Sequence, residues 1–156
     1  MSDIINKKCT GCSVANKEIH LVGGFIYETE NFILLQDPEV PIKGFLIIQS
    51  KNHFRKLIDF NKKEQMELFE LINDARFALD KLDICKEVTI VQEERSKHFH
   101  IWLFPNYEWM QDKFGKGITY LRDINEYVIE NATEKDRKEV FEVVQKLKKY
   151  FNSKGE

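Results

Sequence analysis

The sequence predicts an α+β fold, in which an antiparallel sheet is interrupted by one long helix and followed by further helices. Three observations predict it: three strand-like runs come first, one strong helical stripe follows, and two more strand-like runs precede a helical last third. Because a single long helix divides strands that otherwise follow one another closely, an antiparallel sheet is favoured over a doubly wound one. At 156 residues, the chain is long enough for one domain with a real core.

Short apolar and β-branched runs predict the five strands. The first three runs are residues 25–28, 31–36 and 44–49. A hairpin turn separates the first two runs, and two prolines interrupt regular pairing before the third. Residues 87–93 and 98–104 predict the fourth and fifth strands.

The long helix is predicted to begin after Asn61, an N-cap whose capping-box partner is Glu64. Apolar residues then recur at spacings of three and four, which is typical of one buried helical face. They are Leu68, Ile72, Ala75, Leu79 and Leu82.

The last third of the chain predicts a helical extension packed on the same domain. Residues 118–129 have helical character, and Thr133 with Asp136 caps a last helix. The predicted buried edge of that helix is Val140, Val144, Leu147 and Phe151. We therefore divide the chain into a domain at residues 1–110 and a C-terminal extension at residues 111–156.

Composition and charge argue against several classes of protein. The formal net charge of −2 does not suit a nucleic-acid-binding surface. No apolar run approaches the roughly 18 residues of a membrane-spanning helix, and residues 1–8 lack the features of a signal peptide. Three cysteines, an odd number, fit free thiols or metal ligation better than a disulfide framework. We expect a cytoplasmic protein that binds neither nucleic acid nor membrane.

Two of the four histidines lie two residues apart in the predicted fifth strand. Because strand side chains alternate in direction, His98, His100 and Trp102 share one face, and the apolar residues between them face the core. Two imidazoles on a polar face are typical of a metal-ligand pair or of a site that carries a nucleophile. A hydrogen-bonded structural pair is the alternative.

Cys9 and Cys12 have the spacing that lets two thiolates meet one tetrahedral metal ion. A redox pair is the alternative, although a thioredoxin-like pair normally follows a strand within a βαβ unit. A zinc site would need two more nitrogen or sulfur ligands. The sequence leaves several candidates open: His20, His53, His98, His100 and Cys85.

Three segments taken together match one known pattern. Residues 98–104 alternate histidine with apolar side chains, and Trp102 stands where a third histidine would fall. Residues 32–38 have the pattern of a strand that ends in an aspartate. Residues 44–53 end in Lys-x-His. In this order and spacing, the chain resembles the histidine triad (HIT) superfamily over about residues 9–105.

The resemblance implies a fold, a metal site and a homodimer. The family fold is a five-stranded antiparallel sheet with a long helix, which agrees with the elements predicted above. Family members with an N-terminal Cys-x-x-Cys pair bind a structural zinc ion. Its ligands correspond here to Cys9, Cys12, His53 and His98.

The resemblance also implies hydrolysis or transfer of a nucleotide at its α-phosphate. His100 corresponds to the histidine that attacks the phosphorus and forms a covalent nucleotidyl-histidine. Asp37 corresponds to the aspartate that accepts hydrogen bonds from the ribose, and Gln92 to an amide near the phosphates. The implied substrates are dinucleoside polyphosphates or nucleoside phosphoramidates.

Trp102 leaves open a second function, a nucleotide-binding or regulatory protein without turnover. An indole donates one hydrogen bond and cannot shuttle a proton, although it can stack on a base, cap a pocket or fill it. The connection before His98 is also short and lacks glycine, where many family members have a glycine-rich stretch. Candidates for the missing phosphate contacts are Arg95, Ser96 and Lys97.

Overall fold

The structure is a computed structural model and describes residues 9–154. Residues 1–8, over which the sequence predicts no signal peptide, and residues 155–156 lie outside that range. The elements are α1 (Thr10–Ala15), β1 (Tyr27–Glu28), β2 (Phe32–Gln36), β3 (Leu46–Ser50), a 3₁₀ turn (Leu57–Asp59), α2 (Lys62–Lys81), β4 (Val88–Gln92), β5 (His100–Pro105), α3 (Glu108–Phe114), a second 3₁₀ turn (Ile118–Tyr120), α4 (Leu121–Asn131) and α5 (Glu134–Lys154).

The five strands form one antiparallel sheet in the order β1-β2-β3-β5-β4. This arrangement confirms the predicted α+β class. The long β2–β3 hairpin aligns Leu34 with Ile48, and β5 then pairs with β3 so that Gln49 lies opposite His100. The histidine-bearing strand is therefore internal, with neighbours on both sides.

The long helix α2 covers one face of the sheet and begins as predicted. Asn61 and Glu64 form a capping box, in which the Glu64 N–H donates to Asn61 Oδ1 at 2.9 Å. Leu71 and Ala78 are buried in addition to the predicted stripe, whereas Ile72 and Leu82 are only partly buried. The buried face is wider than predicted because α2 packs on both the sheet and α5, whose Val144, Leu147 and Phe151 join the same core.

The histidine-bearing face of the sheet is also covered, although the sequence predicts it as the polar face. Val14 of α1 packs there on Leu35 and Ile47 of the sheet. Farther along, residues of α3 and α4 pack on Phe45 and Phe104. The sheet therefore lies between two layers, and the histidines lie in gaps of the second layer.

The sequence does not predict α1 and α3. Each is a short helix of six or seven residues, too short to show a helical period. Helix α3 spans residue 110, the predicted boundary between the domain and its C-terminal extension, and that division stays a prediction. Within the described residues, no helix combines the length and the apolar character needed to cross a membrane.

Candidate functional site

Two thiols and two imidazoles meet at one point between α1, the segment after β3 and the start of β5. Their ligand atoms lie within 4.8 Å of one another, and the residues are Cys9, Cys12, His53 and His98. Cys9 Sγ lies 3.4 Å from His53 Nδ1 and 3.5 Å from His98 Nδ1. Cys12 Sγ lies 3.2 Å and 3.6 Å from the same two nitrogens. These four residues could hold a metal ion.

The spacing of the four atoms fits a tetrahedral zinc shell. Zinc–sulfur and zinc–nitrogen bonds of ordinary length set a sulfur-to-nitrogen separation of about 3.5 Å across a tetrahedron, and the four observed separations run from 3.2 to 3.6 Å. Two soft thiolates with two imidazoles are also the donor set that zinc prefers. The donors therefore fit the ion in both geometry and chemistry.

Local hydrogen bonds orient the ligands. The His98 Nε2–H donates to the Ser50 carbonyl at 2.6 Å, which leaves Nδ1 as the lone-pair nitrogen directed at the thiols. The Cys12 N–H donates to Cys9 Sγ at 3.4 Å, so the first cysteine caps α1. Burial lowers the pKa of His98, which favours its neutral, ligating form. Burial, with the neighbouring Cys9, raises the pKa of the Cys12 thiol to about 11 in the protein without an ion.

The remaining candidate ligands lie elsewhere. His20 is exposed and lines an open surface depression near Gly23 and Phe25. Cys85 is buried in the core under α2, where burial raises the pKa of its thiol. Of the ligand choices that the sequence left open, the structure brings His53 and His98 to the cysteine pair.

His100 lies two residues beyond His98 on the same face of β5. Its Nδ1 lies 3.1 Å from the His98 carbonyl and 3.2 Å from Ser96 Oγ, which itself donates to that carbonyl at 2.8 Å. A carbonyl only accepts hydrogen bonds, so Nδ1 carries the proton and Nε2 keeps its lone pair. This arrangement leaves Nε2 as the nitrogen able to attack an electrophile.

A cavity of about 230 Å³, here called the Asp37 cavity, opens beside His100. Its apolar wall is made of Val14, Leu35 and Ile47, which could hold a planar base. Asp37 also lines it. Ser96, His98, His100 and Trp102 line the cavity as well.

Asp37 is held by its own turn. Its Oδ1 accepts the N–H groups of Glu39 at 2.9 Å and of Val40 at 2.7 Å. Because both bonds use Oδ1 and no other described residue donates to Oδ2, that oxygen is available to a ligand hydroxyl. Burial raises the pKa of the Asp37 carboxyl, and the two N–H groups act in the opposite direction.

Trp102 lies on the same face as the two histidines, as the alternation predicts. Its ring meets Phe45 edge-to-face with centroids 5.2 Å apart, and it is partly buried. The indole therefore packs into the second layer and also forms a wall of the site.

The structure does not bring Gln92 to His100. Gln92 pairs with Ile101, so its side chain lies on the opposite face of the sheet from His100. Its Nε2 is buried without a hydrogen-bond partner among the described residues.

A second cavity of about 460 Å³, here called the Asn125 cavity, lies between β5, the second 3₁₀ turn and α4. Ser96, His100 and Trp102 line both cavities. Sequence reasoning missed the residues of α4 here, although one signal was present. Asn125 is a polar residue on the buried stripe that Leu121, Ile124 and Val128 define.

The chain matches histidine triad proteins in fold. A hypothetical histidine triad nucleotide-binding protein from Sulfolobus tokodaii superposes with a TM-score of 0.64 at 16% identity, over 92% of this chain and 93% of that one. A zinc-bound histidine triad family protein from Mycobacterium smegmatis gives 0.63 at 16% identity, over 95% and 98% of the two chains. A HIT-like protein involved in cell-cycle regulation from Bartonella henselae gives 0.60 at 18% identity, over 88% and 91%.

The likeness of fold extends farther than the resemblance in sequence. A match over 95% of the chain includes C-terminal helices, whereas the sequence resemblance ends near residue 105. The sequence matches no protein-family model and no curated protein.

Proposed function

Because the chain has the histidine triad fold, we propose that it transfers or hydrolyses a nucleotidyl group at the α-phosphate through a covalent intermediate on His100. The observation that carries this proposal is the orientation of that imidazole. Its Nδ1–H is directed at the His98 carbonyl at 3.1 Å, and Nε2 is left for attack beside a cavity that Asp37 also lines.

The reaction has two displacements. First, the His100 Nε2 lone pair forms a bond to the α-phosphorus, the bond to the leaving group breaks, and the leaving group departs with the electron pair and takes a proton from solvent. Water then attacks the phosphorus, the phosphorus–nitrogen bond breaks, and the electron pair returns to Nε2 as the water loses a proton. A covalent step of this kind replaces one difficult displacement with two easier ones.

The Asp37 cavity supplies the nucleoside site. An apolar wall suits a base, and a carboxylate oxygen suits the paired hydroxyls of a ribose. The proposed substrates are dinucleoside polyphosphates or nucleoside phosphoramidates. Gln92 has no part in the proposal because it lies across the sheet from His100.

Zinc is the proposed cofactor, with a structural role. All four positions of a tetrahedral shell are filled by protein donors, so no position is left for water or substrate. When bound, the ion fixes α1 against β5 and so fixes the start of the strand that carries His100.

Trapping the intermediate tests the proposed reaction. The protein is mixed with a nucleoside phosphoramidate, quenched in base and analysed by intact mass and peptide mapping. We expect one nucleotidyl group on His100 and none in His100→Ala. His20→Ala, which changes an exposed histidine outside the site, serves as the control. Turnover that survives in His100→Ala would exclude the proposal.

Trp102 favours a second candidate, nucleotide binding without turnover. Its indole fills part of the wall next to His100 and packs edge-to-face on Phe45, so the site lacks a third imidazole at that position. Saturable binding of a nucleotide without an adduct or product after long incubation would favour this candidate over the enzyme.

We also propose a homodimer. Strand β4 is at the edge of the sheet, and large apolar side chains on α2 and β4 are exposed: Phe69 by 71%, Phe77 by 55% and Ile90 by 52%. Sedimentation equilibrium is expected to give twice the mass of the 18.6 kDa chain. Phe69→Lys should weaken the dimer, whereas Phe141→Lys on α5 should not; a monomer at all concentrations would contradict the proposal.

A further inference from the structure

The Asn125 cavity meets the Asp37 cavity at His100. Ser96, His100 and Trp102 form the shared wall. An α-phosphate held at His100 carries two substituents that must diverge, the nucleoside and the leaving group. If the nucleoside lies in the Asp37 cavity, the second cavity is open to the other substituent.

We propose that the Asn125 cavity is the subsite for the leaving group, and that it selects an organic group with an N–H or O–H donor and at most one negative charge. This inference rests on the proposed function. The inference extends the proposed function by assigning substrate specificity to α4 and to the 3₁₀ turn that precedes this helix.

Asn125 provides the first line of support. The residue is only 9% exposed, and its Oδ1 is buried without a hydrogen-bond partner among residues 9–154. A buried amide oxygen without a hydrogen-bond partner is energetically unfavourable. Its helix neighbours Leu121, Ile124 and Val128 are buried apolar residues, so packing alone does not require an amide here. A donor on the leaving group would pair this oxygen.

The charges of the cavity provide the second line of support. Glu93 and Asp123 line it with negative charge, and Arg122 is the only lysine or arginine among the described residues that line it. A polyphosphate chain carries several negative charges and needs several cations or a bound metal ion to balance them. The cavity therefore disfavours a polyphosphate and suits a neutral or cationic organic group.

Binding to an unreactive protein tests the subsite. In the His100→Ala background, three ligands with one common nucleoside are compared: the nucleoside monophosphate, its N-(2-hydroxyethyl) phosphoramidate and the dinucleoside tetraphosphate. We expect the phosphoramidate to bind most tightly. Adding Asn125→Leu should weaken phosphoramidate binding about tenfold, because one buried hydrogen bond is lost, and leave monophosphate binding within twofold.

Stability separates a ligand-binding role of Asn125 from a structural one. Because its Oδ1 is unpaired, Asn125→Leu should leave the melting temperature unchanged or raise it. If Asn125 stabilised the fold, the substitution would lower the melting temperature. Asn125→Ala repeats the comparison without the added bulk of leucine.

Two substitutions that each remove one carboxylate test whether the cavity selects against a polyphosphate. Asp123→Asn removes a carboxylate from the cavity and should tighten tetraphosphate binding about threefold. Glu126→Gln removes an exposed carboxylate from the same helix outside the cavity and should have no effect.

The outcomes separate the inference from the proposed function. Equal phosphoramidate affinity with and without Asn125→Leu and Asn125→Ala, or tighter binding of the tetraphosphate by the parent, would overturn the subsite even if the His100 adduct forms. Conversely, an Asn125-dependent affinity without any adduct in the wild-type protein would retain the subsite and exclude the covalent reaction.

Discussion

Gly11 lies directly against His98. A Cβ placed on Gly11 would fall 2.2 Å from His98 Cγ and 2.6 Å from its Cβ, far inside contact distance. The missing side chain lets α1 approach β5 closely enough for both cysteines to reach the His98 nitrogen. The Gly11 carbonyl also accepts a hydrogen bond from Gln49 Nε2 at 2.9 Å, which ties α1 to β3.

Gly11→Ala should therefore displace α1 and open the metal cluster. We expect a loss of stability of about 1–3 kcal/mol, as for other overpacked sites, together with weaker zinc retention. Urea unfolding and metal analysis after dialysis measure the two effects. Ser13→Ala, a change on the same helix away from His98, should retain both properties. Full zinc retention in Gly11→Ala would contradict the close-approach argument.

The choice of histidine ligands gives a second prediction. The wild-type protein should hold about one zinc ion per chain, and His53→Ala should lose it, because His53 Nδ1 lies 3.2 Å from Cys12 Sγ. His20→Ala should keep the ion. Loss of zinc from both variants, or from neither, would show that the described ligand set is wrong.

Asp37→Asn should weaken nucleoside monophosphate binding about tenfold, because a charged acceptor is replaced by a neutral one. Calorimetric titration measures this, with Asp112→Asn on the exposed side of α3 as the control.

The same substitution should not destabilise the protein at neutral pH. Burial raises the pKa of Asp37 above its ordinary value of 3.8. Its protonated form therefore contributes stability that is complete below pH 3.8 and is lost as the pH rises through the raised pKa. Asparagine stays neutral at every pH. The unfolding free energy of Asp37→Asn, measured relative to the wild-type protein, should therefore rise across that range and then level off. Urea unfolding at a series of pH values tests the sign.

Trp102 should report ligand binding by fluorescence. It is one of two tryptophans, and it lines both cavities, whereas Trp109 lies outside them and is 41% exposed. A nucleoside monophosphate should change the emission of the Trp109→Phe protein and leave that of Trp102→Phe unchanged. The reverse pattern would locate the ligand elsewhere.

The cap of α5 gives a prediction about stability alone. The Asp136 N–H donates to Thr133 Oγ1 at 3.2 Å, and the Thr133 N–H donates to Asp136 Oδ2 at 2.8 Å. Thr133→Ala should lower the free energy of unfolding by about 1 kcal/mol, with Ser153→Ala near the other end of the helix as a near-neutral control. No change in nucleotide binding is expected.

The sequence was sufficient for the sheet, the long helix and its cap, because each has a clear period or a capping pair. Residue alternation also placed His98 and Trp102 correctly on one face. It did not reveal that this face is covered, because two of the covering elements, α1 and α3, are too short for periodicity.

The site residues that could not be predicted from the sequence also depend on how the elements pack. Gln92 was aligned by its position along the chain, and only the strand register shows that it lies across the sheet from His100. The Asn125 cavity depends on how α4 packs, which no local pattern encodes. Asn125 itself could have been noticed as the polar member of an otherwise apolar helical stripe.

Helix α1 connects the metal cluster with one wall of the Asp37 cavity. Its six residues are too few to form a stable helix alone, yet Thr10, Gly11 and Val14 line the Asp37 cavity. If zinc holds α1 in place, a chain starved of the ion would lose a wall of its binding site and uncover Leu35 and Ile47. The fraction of chains with an intact Asp37 cavity would then follow the zinc supply, and chains without zinc would expose apolar surface that favours aggregation.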